Sequence, residues 1–147
     1  MTTVQFSVEV NAPPEAVWKV TSQPANLPNW DRHIESVSVP PGGLGLGVRY
    51  AVVMRFLALR TTVGAEILEW EPPSRAVIRL SGLLNARVST SIASLPGGRS
   101  VLRHEVSYRF RGPLGGIGAG SIQALGGAHL GLKRGVLAQK RQIEQGA

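Results

Sequence analysis

From Val48 to Arg111 apolar and polar residues change places at almost every step, interrupted only by turns rich in proline and glycine. A strand buried on one face has this period of two, and short turns between such strands point to an antiparallel meander. The third strand, Val48 to Leu57, carries Val48, Tyr50, Val52, Met54 and Phe56 on one face and Arg49, Ala51, Val53 and Arg55 on the other. In the fourth, Arg60 to Glu71, the phase of Val63, Ala65 and Ile67 competes with that of Leu68 and Trp70, and a slip or bulge reconciles them. Ala76, Ile78 and Leu80 share a face of the fifth strand, Arg75 to Leu80, after the turn Pro72, Pro73 and Ser74. The sixth, Leu84 to Leu95, turns Leu84, Ala86, Val88, Thr90 and Ile92 inward. The last, Ser100 to Arg111, does the same with Leu102, His104, Val106, Tyr108 and Phe110.

After Pro113 the period changes. Ile122, Leu125, Leu132, Val136 and Ile143 fall within about 60° of one line at ~100° per residue, so Pro113 to Gln145 reads as one long helix with an apolar stripe. His129 lies on that stripe, while Lys133, Arg134, Lys140 and Arg141 lie mostly off it. The helix is rich in glycine, each interior one costing about 1 kcal/mol against alanine, so it needs a sheet to lie on. Before the meander, residues 3–10 alternate as a first strand. Pro13 and Pro14 suit the first turn of a helix continued by Glu15 to Thr21. A second short helix spans Asn26 to Asp31, and a second strand runs from His33 to Val39. The loop PPGGLGLG that follows, Pro40 to Gly47, lacks the GK[ST] ending and the helix of a phosphate loop and reads as a hairpin connection at a cavity rim.

A chain of 147 residues is expected to form one domain, 1–147. Without cysteine it has neither disulfides nor thiolate chemistry, its apolar runs are too short to span a bilayer, and its start does not read as a signal peptide. A cytoplasmic protein, monomer or homodimer, is expected. The net charge of +7 permits attraction to anionic partners, but the arginines are dispersed along strands, and no recognition-helix, zinc or stacking motif turns them into nucleic-acid readout. Arg49, Arg55, Arg79, Arg103 and Arg109 all alternate outward, so the convex sheet face is either simply solvated or docks an acidic carrier protein or an anionic membrane surface.

A strand, the phrase NAPPEAVWKV, a segment ending in NLPNW, a meander containing EWEPPSR and one long C-terminal helix together resemble the helix-grip (SRPBCC, START-like) superfamily. The chain looks most like its polyketide cyclase/dehydrase branch. The residues that carry the resemblance are Ala12, Pro13, Glu15, Val17 and Trp18, then Leu27 to Trp30, and Glu71 to Pro73. It implies an α+β fold in which a seven-stranded curved antiparallel sheet wraps around the C-terminal helix, with two short helices between strands 1 and 2 and a ligand cavity between sheet and helix. It also implies that Trp30 sits near the cavity mouth and that Trp18 packs under the sheet.

His104 and His129 are then expected to enter one interior from opposite walls, with Tyr50 and Tyr108 adding hydroxyls. Neutral imidazoles can hold a ligand carbonyl or hydroxyl, or serve as general acid and base in aldol-type cyclisation or dehydration. The plainer reading is that each histidine is hydrogen-bonded to a neighbour in an apolar core. The expected ligand-binding residues are Trp30, Tyr50, Val52, Met54, Phe56, Ile78, Leu80, Val88, His104, Val106, Tyr108, Leu125, His129 and Leu132, with His104 and Tyr108 as the catalytic candidates. Three scattered histidines do not make a metal site, and no cofactor is expected. The leading expectation is binding of a lipid, isoprenoid or polyketide-like molecule. The alternatives are a cyclase/dehydratase and a stress or toxin–antitoxin type regulatory module.

Overall fold

The alternation of the sequence becomes a sheet whose inner face, among the described side chains, carries the strand residues expected there. The computed structural model describes residues 2–56, 59–110 and 127–146. In chain order these are β1 (Thr2–Val10), α1 (Pro14–Thr21), a 3-10 turn (Pro24–Asn26), α2 (Leu27–Trp30), β2 (Ile34–Ser38), β3 (Arg49–Phe56), β4 (Leu59–Glu71), β5 (Arg75–Ser81), β6 (Leu84–Leu95), β7 (Arg99–Phe110) and α3 (Gly127–Glu144). The seven strands form one antiparallel sheet in the order β1-β7-β6-β5-β4-β3-β2, so the first strand closes on the last across the helical excursion. Gly97 and Gly98 adopt φ of 81° and 71° in the turn from β6 to β7, a left-handed conformation in which a side chain is strained.

The competing phases of β4 are resolved by a register shift between Ile67 and Glu69. Ile67 still pairs with Ile78, but beyond Leu68 the pairing resumes with Glu69 opposite Val77 and Trp70 opposite Ala76. One extra residue thus turns Trp70 to the inner face; in an unbroken strand it would point outward, on the face that carries Glu66, Arg49 and Arg79.

The inner face supports two apolar clusters. One gathers Val10, Val17, Val20, Trp30, Ile92, Leu102, Val136 and Ile143 under α3. The other joins Tyr50, Val52, Met54, Val63, Ala65, Ile67, Ala86 and Tyr108 across the middle of the sheet. The helix expected from residue 113 is described as α3; residues 113–126, including Ile122 and Leu125, lie outside the described residues. Along α3, Leu132, Val136 and Ile143 face the first cluster as the stripe requires, and α3 lies against β1, α1, α2 and β7. Gly135 permits this approach, since a Cβ there would stand 3.3 Å from the carbonyl oxygen of Trp30. The far end of α3 is fastened to β1: the Asn11 N–H donates to Glu144 Oε2 at 2.8 Å and Lys140 Nζ to the Glu9 carbonyl at 2.7 Å. The Asn11 amide, ahead of the nearby Lys140, holds the Glu144 carboxyl below its ordinary pKa.

Candidate functional site

The described cavity opens at one end of the sheet, between α1, the glycine-rich loop and the β4–β5 hairpin. Its outer part is a cleft of about 440 Å3 lined by Trp18, Lys19, Ser22, Gln23, Gly43, Leu44 and Trp70. Behind it lies a smaller chamber of about 50 Å3, which shares Trp18, Ser22, Leu44 and Trp70 with the cleft and reaches inward to Tyr50, Ile67, Ala76, Ile78 and Thr90. Trp18 and Trp70 meet edge to face, with ring centroids 4.9 Å apart. That arrangement matches the preferred geometry of aromatic pairs and builds a rigid apolar gate. Leu44 is held against it because the loop is tied to β4: Gly47 N–H donates to the Ile67 carbonyl at 2.9 Å and Ile67 N–H to the Val48 carbonyl at 3.0 Å.

A single cross-strand row leads from this gate to the one buried histidine described. Trp70 pairs with Ala76, Ala76 with Thr90, Thr90 with His104 and His104 with Phe6. His104 is 7% exposed. Its Nδ1 stands 2.8 Å from Thr90 Oγ1 and its Nε2 2.7 Å from Oε1 of the buried Gln139 of α3. The Gln139 carbonyl can only accept, so Nε2 carries the hydrogen of the neutral ring and Nδ1 accepts from the Thr90 hydroxyl. Burial pushes the imidazole pKa below its ordinary value, and the Gln139 bond only partly offsets this. The inward histidine is thus hydrogen-bonded on both nitrogens inside the core, the plainer of the two expectations for it.

The candidate residues are distributed unevenly around this cavity. Tyr50 and Ile78 line the chamber, and burial pushes the Tyr50 phenol up to about 12. Val52, Met54 and Tyr108 are buried in the central cluster, Leu80 and Val106 pack against it, and Val88 is half-buried between Ile78 and Val106 in the same row. Burial also raises the Tyr108 pKa, with a hydrogen bond to Thr2 opposing it. Tyr108 lies four residues from His104 along β7, about 13 Å in an extended strand, so the two do not meet at one point. Leu132 and Trp30 belong to the cluster under α3, where Trp30 Nε1 donates to Gln142 Oε1 at 3.0 Å. Trp30 thus lies in the core and not at the mouth, while Trp18, which packs against the same cluster as expected, also lines the cleft. Leu125 and the side chains of Phe56 and His129 lie outside the described residues.

Gln139, Trp18, Trp70 and Leu44 belong to the site without having been named for it. Gln139 was visible in principle, because it falls three residues after Val136 and four before Ile143 on the buried stripe. Trp70 depended on the bulge. On the convex face Arg49, Arg55, Arg79, Arg103 and Arg109 are all exposed. Arg49 and Arg79 flank Glu66, Arg55 stands 3.6 Å from Glu35, and Arg103 3.1 Å from Glu105, so much of that charge is met within the sheet. Among the described residues no group of three or more His, Asp or Glu is placed to hold a metal ion, and no helix is long and apolar enough to cross a membrane.

A family model described as polyketide cyclase / dehydrase and lipid transport matches residues 1–137. The chain belongs to this family. An uncharacterized Mycobacterium tuberculosis protein is 29% identical to this family member over 128 residues, covering 84% of this chain and 90% of that one. Among solved structures, a START superfamily protein from Mycobacterium smegmatis superposes with a TM-score of 0.73 at 16% identity, covering 99% of both chains. The Zhui aromatase/cyclase from Streptomyces sp. R1128 gives a TM-score of 0.70 at 17% identity, covering 98% of this chain and 92% of that one. At such identities the likeness is one of fold. This chain thus has the helix-grip architecture, a curved seven-stranded antiparallel sheet with a C-terminal helix and a few short helices, in common with these structures. The family is thus the one described as polyketide cyclase / dehydrase and lipid transport, and the fold is one that the START superfamily protein and the aromatase/cyclase also have.

Proposed function

We propose that this chain binds a hydrophobic small molecule of lipid, isoprenoid or polyketide type, with its body in the Trp18–Trp70 cleft and one end in the chamber behind. The observation that carries this reading is the aromatic gate leading to a mostly apolar chamber, where shape and size select the ligand. Burying about 300 Å2 of apolar surface at ~25 cal/mol per Å2 is enough for micromolar affinity without a charged contact. Titration with 1-anilinonaphthalene-8-sulfonate, followed by the probe's emission and by tryptophan fluorescence, tests it. Saturable binding is expected, weakened at least about fivefold by Trp18→Ala because part of the apolar wall is lost. The exposed Leu46→Ala serves as the unchanged control. Absence of saturable binding to the wild-type protein removes the reading.

A second reading, a cofactor-independent polyketide cyclase or dehydratase, is favoured by one observation: Thr90, a chamber residue, is hydrogen-bonded to His104. In this reading the imidazole works through the Thr90 hydroxyl as a proton relay. His104→Gln keeps a neutral hydrogen-bonding side chain but cannot take up a proton near neutrality, so turnover of a poly-β-ketone thioester is expected to fall at least about 100-fold while ligand binding is retained. Equal turnover in both proteins, or none in the wild type, excludes the reading.

A further inference from the structure

The direction of each hydrogen bond behind the chamber determines what the chamber can offer a ligand. Gln139 Oε1 fixes the hydrogen of His104 on Nε2, which leaves Nδ1 as an acceptor, and Thr90 then spends its only hydroxyl hydrogen on that nitrogen. Thr21, on another wall of the same chamber, spends its hydrogen on the Val17 carbonyl at 3.0 Å. Both threonines therefore have only lone pairs left for a visitor. Tyr50 stays protonated across the physiological range and can donate from the wall it forms.

We propose that Thr90 is a specificity-determining residue that selects ligands carrying a hydroxyl at the end inserted into the chamber and disfavours the corresponding ketones. A hydroxyl set against Thr90 can donate to its Oγ1 while accepting from Tyr50 or Ser22; a carbonyl in the same place can accept from those donors but sets its lone pairs against those of Thr90. Gln139 is a positioning residue for this preference, because it acts only through the ring of His104. The chamber's size agrees with such a role: about 50 Å3 holds a terminal polar group and its immediate carbons, while the rest of the ligand stays in the cleft. The inference rests on the binding reading above and assigns the polar end of its ligand.

The test uses two probes with one carbon skeleton, 1-(2-naphthyl)ethanol and 2-acetylnaphthalene, titrated by calorimetry and by tryptophan quenching. The wild-type protein is expected to bind the alcohol about tenfold more tightly, the worth of one hydrogen bond made against one opposed. Thr90→Val is expected to abolish the preference chiefly by weakening the alcohol, and Thr90→Ser to keep it. Gln139→Leu, which changes no chamber wall, is expected to narrow the preference, since Nδ1 can then hold the ring hydrogen and Thr90 can donate to a ketone. A purely structural role for Thr90 or Gln139 would lower both affinities together and overturns the inference. So do equal affinities in the wild-type protein or an undiminished preference in Thr90→Val. If neither naphthyl compound binds while 1-anilinonaphthalene-8-sulfonate does, the binding reading stands and the hydroxyl inference falls; if none of the three binds, both fall.

Discussion

Replacing Leu102 with alanine is expected to cost about 2–5 kcal/mol of folding free energy. Leu102 is fully buried near the start of β7, paired with Val8 on one side and Ile92 on the other, and clustered with Val10, Val17 and Val136. It therefore lies where sheet, α1 and α3 meet. Truncation removes transfer free energy and leaves a cavity whose walls, two paired strands and two helices, cannot move inward without breaking their own contacts. For a domain of this size the melting temperature should fall by roughly 10 °C in calorimetry. The exposed Leu46→Ala should stay within about 0.5 kcal/mol of the wild type. A loss below about 1 kcal/mol at Leu102 would mean that α3 does not seal this end of the sheet.

The second large effect is a dependence of stability on pH that begins near neutrality. The folded protein holds His104 below its ordinary pKa because the ring is buried and its partners, Thr90 and Gln139, are neutral. The unfolded chain protonates the same ring near pH 6.5, so below that value it takes up a proton that the folded state resists. The stabilisation is complete above about pH 6.5 and is lost as the pH falls toward the folded pKa. One such group gives a slope of at most roughly 1 kcal/mol per pH unit in this window. Urea denaturation across that range checks it. His104→Gln should flatten the slope in this window, leaving the carboxylates, Glu144 among them, to govern stability at lower pH. An equal slope in the variant would place the proton uptake elsewhere.

Much of the framework was legible in the sequence because it follows from period and punctuation. Inward positions on β1, β3, β6 and β7, the helix starting at Pro14, the short helix that ends at Trp30 and the loop turns came from alternation and from proline and glycine placement. Those signals are local, since each reflects which face of a strand or helix is covered. The bulge in β4 was legible as well, because two apolar phases within one strand cannot both face inward without an inserted residue.

Tertiary structure decided what local signals do not contain. Period placed His104 and Thr90 on one inner face, but only the register of β6 against β7 set them side by side, and only the seating of α3 brought Gln139 to the other ring nitrogen. A tryptophan in a short helix reads the same whether it gates a cavity or fills a core. The approach of Gly135 to Trp30 put that ring under α3, while the bulge carried Trp70 round to meet Trp18. By itself, then, the sequence determined the sheet, its inner face and the need for a covering helix, all consequences of which residues avoid water. Three-dimensional packing decided where the described cavity opens and which way its hydrogen bonds run, because both depend on contacts between residues far apart in the chain.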